Sequence, residues 1–185
     1  MSRQKFKRTN EDAVVSKRGT STRRLAARYG RYLEEFAVGD IYEHFPGRTI
    51  TEADNIQMSL LTMNQHPLHC DAAYAEQTEF GRPVVNSGLS LAVVLGMTVA
   101  DVSGKAIANL GWKEINLTGP VFCGDTLRAE SEVLEIRPSR SRPGQGIVTV
   151  HTRAFNQNGA PVLDFIRSCL VPQNNTVASQ GGAAR

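Results

Sequence analysis

Apolar residues recur along this chain with two different periods, and the change between them predicts an order of helices and strands. Over residues 52–63 they favour one face of a helix, and Thr51 with Asp54 three positions later has the form of a capping box at its start. A second helix is predicted from Ser87, which can cap it, to Gly104, which can end it. This second helix is apolar around nearly its whole circumference, which is typical of a helix inside a fold.

The second half of the chain has the pattern of strands. Extended segments of about ten residues alternate or are rich in β-branched residues, and turn residues separate them. The Asn158-Gly159 pair favours a tight hairpin, and such short connections imply antiparallel pairing. The sequence therefore predicts one α+β domain in which an antiparallel sheet wraps around the long central helix. The predicted strand segments are 107–122, 125–137, 146–159 and 161–172.

Charge divides the chain unevenly. Residues 1–31 hold ten basic and two acidic residues, whereas the remainder holds 11 basic and 16 acidic residues. We therefore expect a basic, disordered extension over residues 1–30, a folded domain over 31–172 and a flexible tail over 173–185. A basic arm can contact nucleic acid or a membrane, but this one lacks interleaved aromatic residues, and no apolar run reaches the roughly 18 residues of a membrane span. We expect neither partner.

The cysteines point to a reducing compartment. The three, Cys70, Cys123 and Cys169, are widely spaced without a CxxC pair, so we expect a cytoplasmic protein without a disulfide framework. Cys70 follows His69 directly, but neighbouring residues of an extended segment point to opposite sides, which argues against a Cys–His catalytic pair. No metal-ligand cluster or nucleotide-binding fingerprint is present, so we expect no metal and no resident cofactor.

One loop carries the motif that indicates a function. Residues 62–69 read Thr-Met-Asn-Gln-His-Pro-Leu-His, Ala75 follows, and Ser87-Gly88-Leu89 opens the central helix. Over roughly residues 30–172 the chain resembles the MaoC-like, or (R)-specific enoyl-CoA hydratase, family of hot-dog proteins. The family pattern reads Asp, any residue, Asn, Pro, an aliphatic residue and His, with a His-Gly turn before the helix. The resemblance implies a hot-dog fold and a homodimer formed by joining two sheets.

The same resemblance implies a chemistry, namely reversible addition of water across the double bond of an enoyl-CoA thioester. Coenzyme A enters as part of the substrate. His69 matches the family's acid/base histidine, a suitable residue because imidazole accepts and donates protons near neutral pH. Gly88 matches the glycine whose backbone N–H faces the thioester oxygen, where negative charge gathers as the enolate forms.

Asn64 departs from the family pattern, because it stands where the family has Asp. An amide is no general base at neutral pH, although it can orient a water molecule. We therefore expect His69 to be the sole acid/base and Asn64 to position the water. Two alternatives stay open: an acyl-thioester-binding protein that has lost hydration, and a thioesterase.

Further residues are candidates for substrate binding. Ser87 stands in the family's His position and can reach the substrate, although a capping role explains it equally well. Arg140 and Arg142, in a turn between two strands, are candidates for the phosphates of coenzyme A, with a solvated hairpin as the alternative. The sequence of this loop resembles that of the family branch that acts on mesaconyl- or itaconyl-CoA. Such a substrate has a second carboxylate, and Arg82 is a candidate partner for it. Asp71 is expected to cap a short helix.

Overall fold

One strand, then four α-helices and then four further strands follow one another in the computed structural model, which describes residues 29–174. A short 3-10 helix, Leu33–Glu35, precedes the first strand. A π-helical turn, Val99–Ser103, follows the last α-helix. In chain order the other elements are β1 (Ile41–Thr49), α1 (Glu52–Leu61), α2 (Pro67–Cys70), α3 (Ala72–Glu76), α4 (Ser87–Met97), β2 (Ala108–Leu117), β3 (Thr126–Pro138), β4 (Gln145–Phe155) and β5 (Pro161–Pro172).

The strands form one five-stranded sheet in the order β1-β3-β4-β5-β2, and every neighbouring pair is antiparallel. This confirms the predicted α+β class and the positions of the four strands in the second half of the chain. The predicted hairpin at Asn158-Gly159 is also confirmed, because Asn156 N donates to Ala160 O at 3.0 Å and closes the turn between β4 and β5. The two edges of the sheet are therefore β1 and β2.

The core lies between the inner face of the sheet and α4. Alternate residues of β4 are buried, as the period of two requires of a strand with one covered face. Val94 of α4 is fully buried and packs in one cluster with Leu127 of β3 and Phe165 of β5. Burial of these apolar side chains is the main favourable contribution to holding the helix on the sheet.

Helix α4 differs from the prediction in its first residue and its length. Asn86, not Ser87, is the N-cap: its Oδ1 accepts a hydrogen bond from Gly88 N at 2.9 Å, so the capping role expected of Ser87 is wrong. The reason is local backbone geometry, since Asn86 is extended (φ −52°, ψ 124°) and Ser87 is already helical. The α-helix ends at Met97, and the π-helical turn continues the segment to Ser103.

Within a single chain the sheet covers one side of α4. Ser90 and Val94 are buried, whereas Ala92 and Gly96 are exposed. Its own chain thus covers only part of the surface of this helix.

Described residues just outside the predicted domain, residues 31–172, also contact it. Of the predicted extension, residues 1–30, only the last two are described: Gly30 N donates to Ala100 O at 2.7 Å, and Tyr29 O accepts from Lys105 Nζ at 2.7 Å. At the other end, Gln173 N donates to Gly144 O at 2.9 Å. The predicted disorder of the extension and of the tail lies outside the described residues. Among the helices in the described range, none is long and apolar enough to cross a membrane.

A buried polar network ties β1 to the segment after α4. His44 Nδ1 lies 2.9 Å from Asp101 Oδ2, and its Nε2 lies 2.8 Å from Ser131 Oγ. Because a carboxylate only accepts, the Nδ1 atom carries the proton and Nε2 accepts from the serine hydroxyl when the ring is neutral. Burial, which outweighs the contacts with Asp101, lowers the pKa of His44 below its ordinary value of 6.5, and the nearby Arg167 and Arg31 act in the same direction.

The lowered pKa of His44 predicts a loss of stability in mild acid. The unfolded chain takes up a proton at this position as pH falls below about 6.5, while the folded chain resists it, so the free energy of unfolding decreases. Urea unfolding of the wild type at pH 7.5 and 5.5 measures this slope, which His44→Gln should reduce. An unchanged slope in His44→Gln would contradict this account.

Candidate functional site

Local sequence builds the loop that carries the candidate histidine. Helix α1 ends before Met63, whose φ of 58° is left-handed. Asn64 Oδ1 then accepts from His66 N at 3.3 Å. The proline at position 67 keeps the His66 backbone extended. The His66 ring caps α2 by accepting a hydrogen bond from Leu68 N at 3.2 Å. Asp71 caps α3 through Tyr74 N, which confirms its predicted role.

The His69 ring has a defined orientation and a defined tautomer. Its Nδ1 lies 2.9 Å from the carbonyl oxygen of Val84. Because a carbonyl oxygen only accepts, Nδ1 must carry a proton, and in the neutral ring Nε2 holds the free lone pair. No other described residue is hydrogen-bonded to this ring. Nε2 is therefore available as a base.

The His69 side chain lines a cavity of about 250 Å³. The cavity lies between the start of α1, the turn of α2 and the chain before β3. This satisfies the first requirement for a catalytic histidine, since the ring is half-buried and yet reaches open space. The residues that line this cavity are Glu52, Asn55, Ile56, His69, Cys70, Ala72, Arg82, Pro83 and Cys123.

Cys70 lies closer to the candidate site than the sequence argument allowed. That argument placed His69 and Cys70 on an extended segment, whereas both belong to the helical turn α2 and both line the cavity. The Cys70 Sγ atom lies 3.9 Å from His66 O. On the far wall, burial raises the pKa of the Cys123 thiol, which favours its neutral form. All three cysteines are free.

Asn55, which the sequence analysis left as an ordinary helix residue, connects the parts of the site. It is 1% exposed. Its Nδ2 donates to His69 O at 2.9 Å and to Val84 O at 3.4 Å, and its Oδ1 accepts from Asn86 N at 2.8 Å. The available signal was an amide within an apolar helix face, which does not by itself reveal its partners. Asn55 thereby joins the histidine turn to the residue that caps α4.

The start of α4 offers a different free amide from the predicted one. Gly88 N–H is occupied by the Asn86 side chain, so in this structure it is not open to a ligand. Ser87 N–H, the first amide of the helix, has no acceptor among the described residues. Ser87 lines a second cavity, of about 310 Å³, together with Val84, the residue whose carbonyl holds His69.

Other predicted site residues are less close to His69. Asn64 is half-buried next to the histidine turn, but it is not among the residues that line the His69 cavity. Arg140 and Arg142 are exposed in the turn between β3 and β4. The cavity is at the opposite end of β3, whose length is roughly 40 Å at about 3.3 Å per residue. Contacts of these arginines with coenzyme A stay a prediction.

Arg82 lies in the same cavity as His69. Its guanidinium carbon is 3.9 Å from the centre of the Phe122 ring, which is a cation–π contact. No carboxylate of the described residues forms an ion pair with it. Within the same range, no group of three or more histidine, cysteine or acidic side chains is arranged to hold a metal ion.

Comparison with known proteins agrees with the fold and the motif. A family model described as mesaconyl-CoA hydratase matches residues 13–185. The chain belongs to the mesaconyl-CoA hydratase family. It is 34% identical over 149 residues to a mesaconyl-CoA hydratase of Cereibacter sphaeroides, a match that covers 80% of this chain and 43% of the relative. The chain thus spans less than half the length of that family member.

Two further matches extend the comparison. An (R)-specific enoyl-CoA hydratase of Aeromonas caviae is 34% identical over 108 residues, covering 58% of this chain and 76% of the relative. A solved structure described as a MaoC domain protein dehydratase of Chloroflexus aurantiacus is 32% identical with a TM-score of 0.78, covering 82% of this chain and 43% of the other. The sheet and helix of this mesaconyl-CoA hydratase family member form the hot-dog fold of MaoC-like proteins.

Proposed function

We propose that this chain catalyses the reversible addition of water to the double bond of an enoyl-CoA thioester. The observation that supports this most directly is the His69 imidazole, fixed by Val84 O as the tautomer with a free Nε2 and facing a cavity. The names of the relatives, which include mesaconyl-CoA hydratase and (R)-specific enoyl-CoA hydratase, agree with this reaction.

In the proposed reaction His69 acts as both base and acid. Nε2 accepts a proton from a bound water as its oxygen adds to the β-carbon of the enoyl group. The electron pair of the double bond moves toward the thioester carbonyl, whose oxygen gains negative charge. The imidazolium then delivers the proton to the α-carbon, so that one water has been added. We keep Asn64 as the residue proposed to orient the water, since its amide can donate and accept but not remove a proton; it lies next to the histidine turn, although it does not line the His69 cavity within the single chain.

We assign the stabilisation of the thioester oxygen to Ser87 N–H instead of Gly88 N–H. The Gly88 amide is occupied by Asn86, whereas the Ser87 amide is the first of α4 and is free among the described residues. The positive end of the helix dipole favours a developing negative charge at this place. The Asn55 side chain accepts a hydrogen bond from Asn86 N, in the residue before this amide, and donates one to His69 O.

The acyl group that we propose is a short, branched dicarboxylyl chain such as mesaconyl. The family model and the name of the Cereibacter sphaeroides relative support it. Arg82, stacked on Phe122 in the His69 cavity and without a carboxylate partner in the described range, is the candidate for the second carboxylate. In this proposal coenzyme A is part of the substrate, and the protein has no resident cofactor. The expected cytoplasmic location stays a prediction.

A homodimer is the proposed assembly. β2 is an edge strand whose outer residues include exposed apolar side chains: Leu110, Trp112, Ile115 and Leu117. The other edge, β1, contains Pro46, which lacks an N–H and suits an unpaired edge. A second copy of the chain, paired at β2, would continue the sheet beyond this edge. It would also correspond to the part of the longer Cereibacter sphaeroides relative that this chain does not cover.

Replacement of His69 tests the reaction. His69→Ala should abolish turnover of mesaconyl-CoA or crotonyl-CoA, followed by the ultraviolet absorbance of the enoyl thioester, because the only proposed acid/base is lost. Asn64→Asp should keep or raise the rate, since it adds a second acid/base next to the water; such groups typically contribute about 10²–10⁴-fold. Turnover that survives in His69→Ala would reject the mechanism. Release of free thiol without hydration would indicate a thioesterase.

Ser87→Pro tests the assignment of the oxyanion donor. Proline removes the N–H, suits the first position of a helix, and follows Asn86, whose ψ of 124° is compatible with a proline after it. The expected result is a loss of about 10²–10³-fold in kcat. Ser87→Ala is the matched control: it keeps the N–H, removes only the hydroxyl and should retain kcat within a few fold. Equal rates for the two variants would overturn the assignment.

Charge on the β2 edge tests the dimer. Trp112→Glu places a carboxylate on the exposed apolar face and should shift the protein from dimer to monomer in size-exclusion chromatography with light scattering. Phe45→Glu, at an 87% exposed position of the opposite edge, is the control and should stay dimeric. A monomeric wild type, or a dimer that only the Phe45 variant disrupts, would contradict this interface.

A further inference from the structure

Asn55 is a buried amide whose hydrogen bonds all end on the candidate site. Its side chain is on α1, one turn after Glu52 and beside Ile56, and all three residues line the His69 cavity. At 1% exposure an unpaired amide would be costly, and an apolar side chain of the same size would fill the space without that cost. The amide is instead fully engaged on both of its ends.

Each partner of Asn55 belongs to a different segment of the site. The Nδ2 group donates to the backbone oxygens of His69 and Val84, and the Oδ1 atom accepts from Asn86 N. Val84 O also accepts from His69 Nδ1, so the carbonyl that sets the imidazole tautomer has a second donor in Asn55. The same residue is tied to the histidine turn from its other side, because Val84 N donates to Leu68 O at 3.0 Å.

We propose that Asn55 is a positioning residue for the reaction: it holds the His69 imidazole and the first amide of α4 at their working separation and keeps Val84 O directed at the imidazole. The inference rests on the proposed function and deepens it. No hydrogen bond joins His69 directly to Asn86, and the Asn55 side chain links their backbones through two hydrogen bonds, of 2.9 Å and 2.8 Å. Small displacements of such groups are costly, on the order of 10²-fold in rate for about 1 Å.

A neighbour on the same helix shows that burial alone does not give this role. Ser59 is one turn further along α1 and is 4% exposed, yet its Oγ has no hydrogen-bond partner. Its side chain contacts the interior without linking the segments of the site. Ser59→Ala is therefore a matched control at a buried polar position of α1.

Two substitutions separate the amide's donor function from its size. Asn55→Leu removes the donor and the acceptor at nearly constant size, while Asn55→Asp keeps the acceptor for Asn86 N and loses the donors to both carbonyl oxygens. Rates are measured with mesaconyl-CoA on the protein as purified and are expressed per folded molecule, from the amplitude of thermal unfolding. If Asn55→Leu does not fold, Asn55→Asp alone decides the test.

The expected result is a fall in kcat of about 10²-fold with KM changed by no more than a few fold, whereas Ser59→Ala keeps both within twofold. The nitrogen-15 ring signals of His69, assigned by their loss in His69→Ala, should shift in the Asn55 variants because Val84 O no longer has its second donor. A purely structural role would reduce the folded fraction and leave kcat per folded molecule unchanged.

Two results would overturn the inference: a folded Asn55 variant with kcat within threefold of wild type, or His69 ring signals identical to those of wild type. Neither result bears on the proposed function, whose own failure is turnover that survives in His69→Ala. The two hypotheses are therefore tested by different variants.

Discussion

The hydrogen bond from His69 Nδ1 to the carbonyl oxygen of Val84 is the interaction on which the candidate site depends. A carbonyl oxygen cannot donate, so this single contact decides which ring nitrogen carries the proton and which one remains a base. It requires a backbone carbonyl at a fixed place, and the fold provides one from a segment 15 residues further along the chain. The free Nε2 of the neutral ring is thus a consequence of how two distant segments are packed.

The surrounding structure holds that carbonyl in place. Val84 forms a bridge with Phe122, and Val85 N donates to Val121 O at 2.8 Å, so the segment is attached to the chain that leads into β3. Asn55 connects it to α1 and to the cap of α4. The sheet and the helices therefore act as a frame, in which buried polar contacts, instead of flexible loops, position the proposed acid/base and the proposed oxyanion donor.

The charged and polar groups outside the site have structural roles. His44 is buried between Asp101 and Ser131, where it links β1 to the turn after α4 and has no access to the His69 cavity. Arg167 is 3% exposed and donates to Thr98 Oγ1 at 2.8 Å, near the end of α4.

Sequence periodicity was sufficient to predict α1 and the four strands in the second half of the chain, and the motif was sufficient to predict the family. Strand alternation and the Asn158-Gly159 turn depend on neighbouring residues only, as does the capping box of Thr51 and Asp54, which the structure contains as predicted. Where the prediction was wrong, as in the cap of α4, two adjacent residues of the capping type competed, and the backbone conformation before the helix selected Asn86.

What the sequence determined by itself is the order of elements, the loop that presents His69 and the class of reaction that its relatives suggest. Only the tertiary structure decided which carbonyl the imidazole contacts, which amide of α4 is free, and that Asn55 links the two. The physical reason is that capping and strand alternation act between near neighbours. Hydrogen bonds among Asn55, Val84 and Asn86, in contrast, exist only after α1 and the start of α4 have packed together.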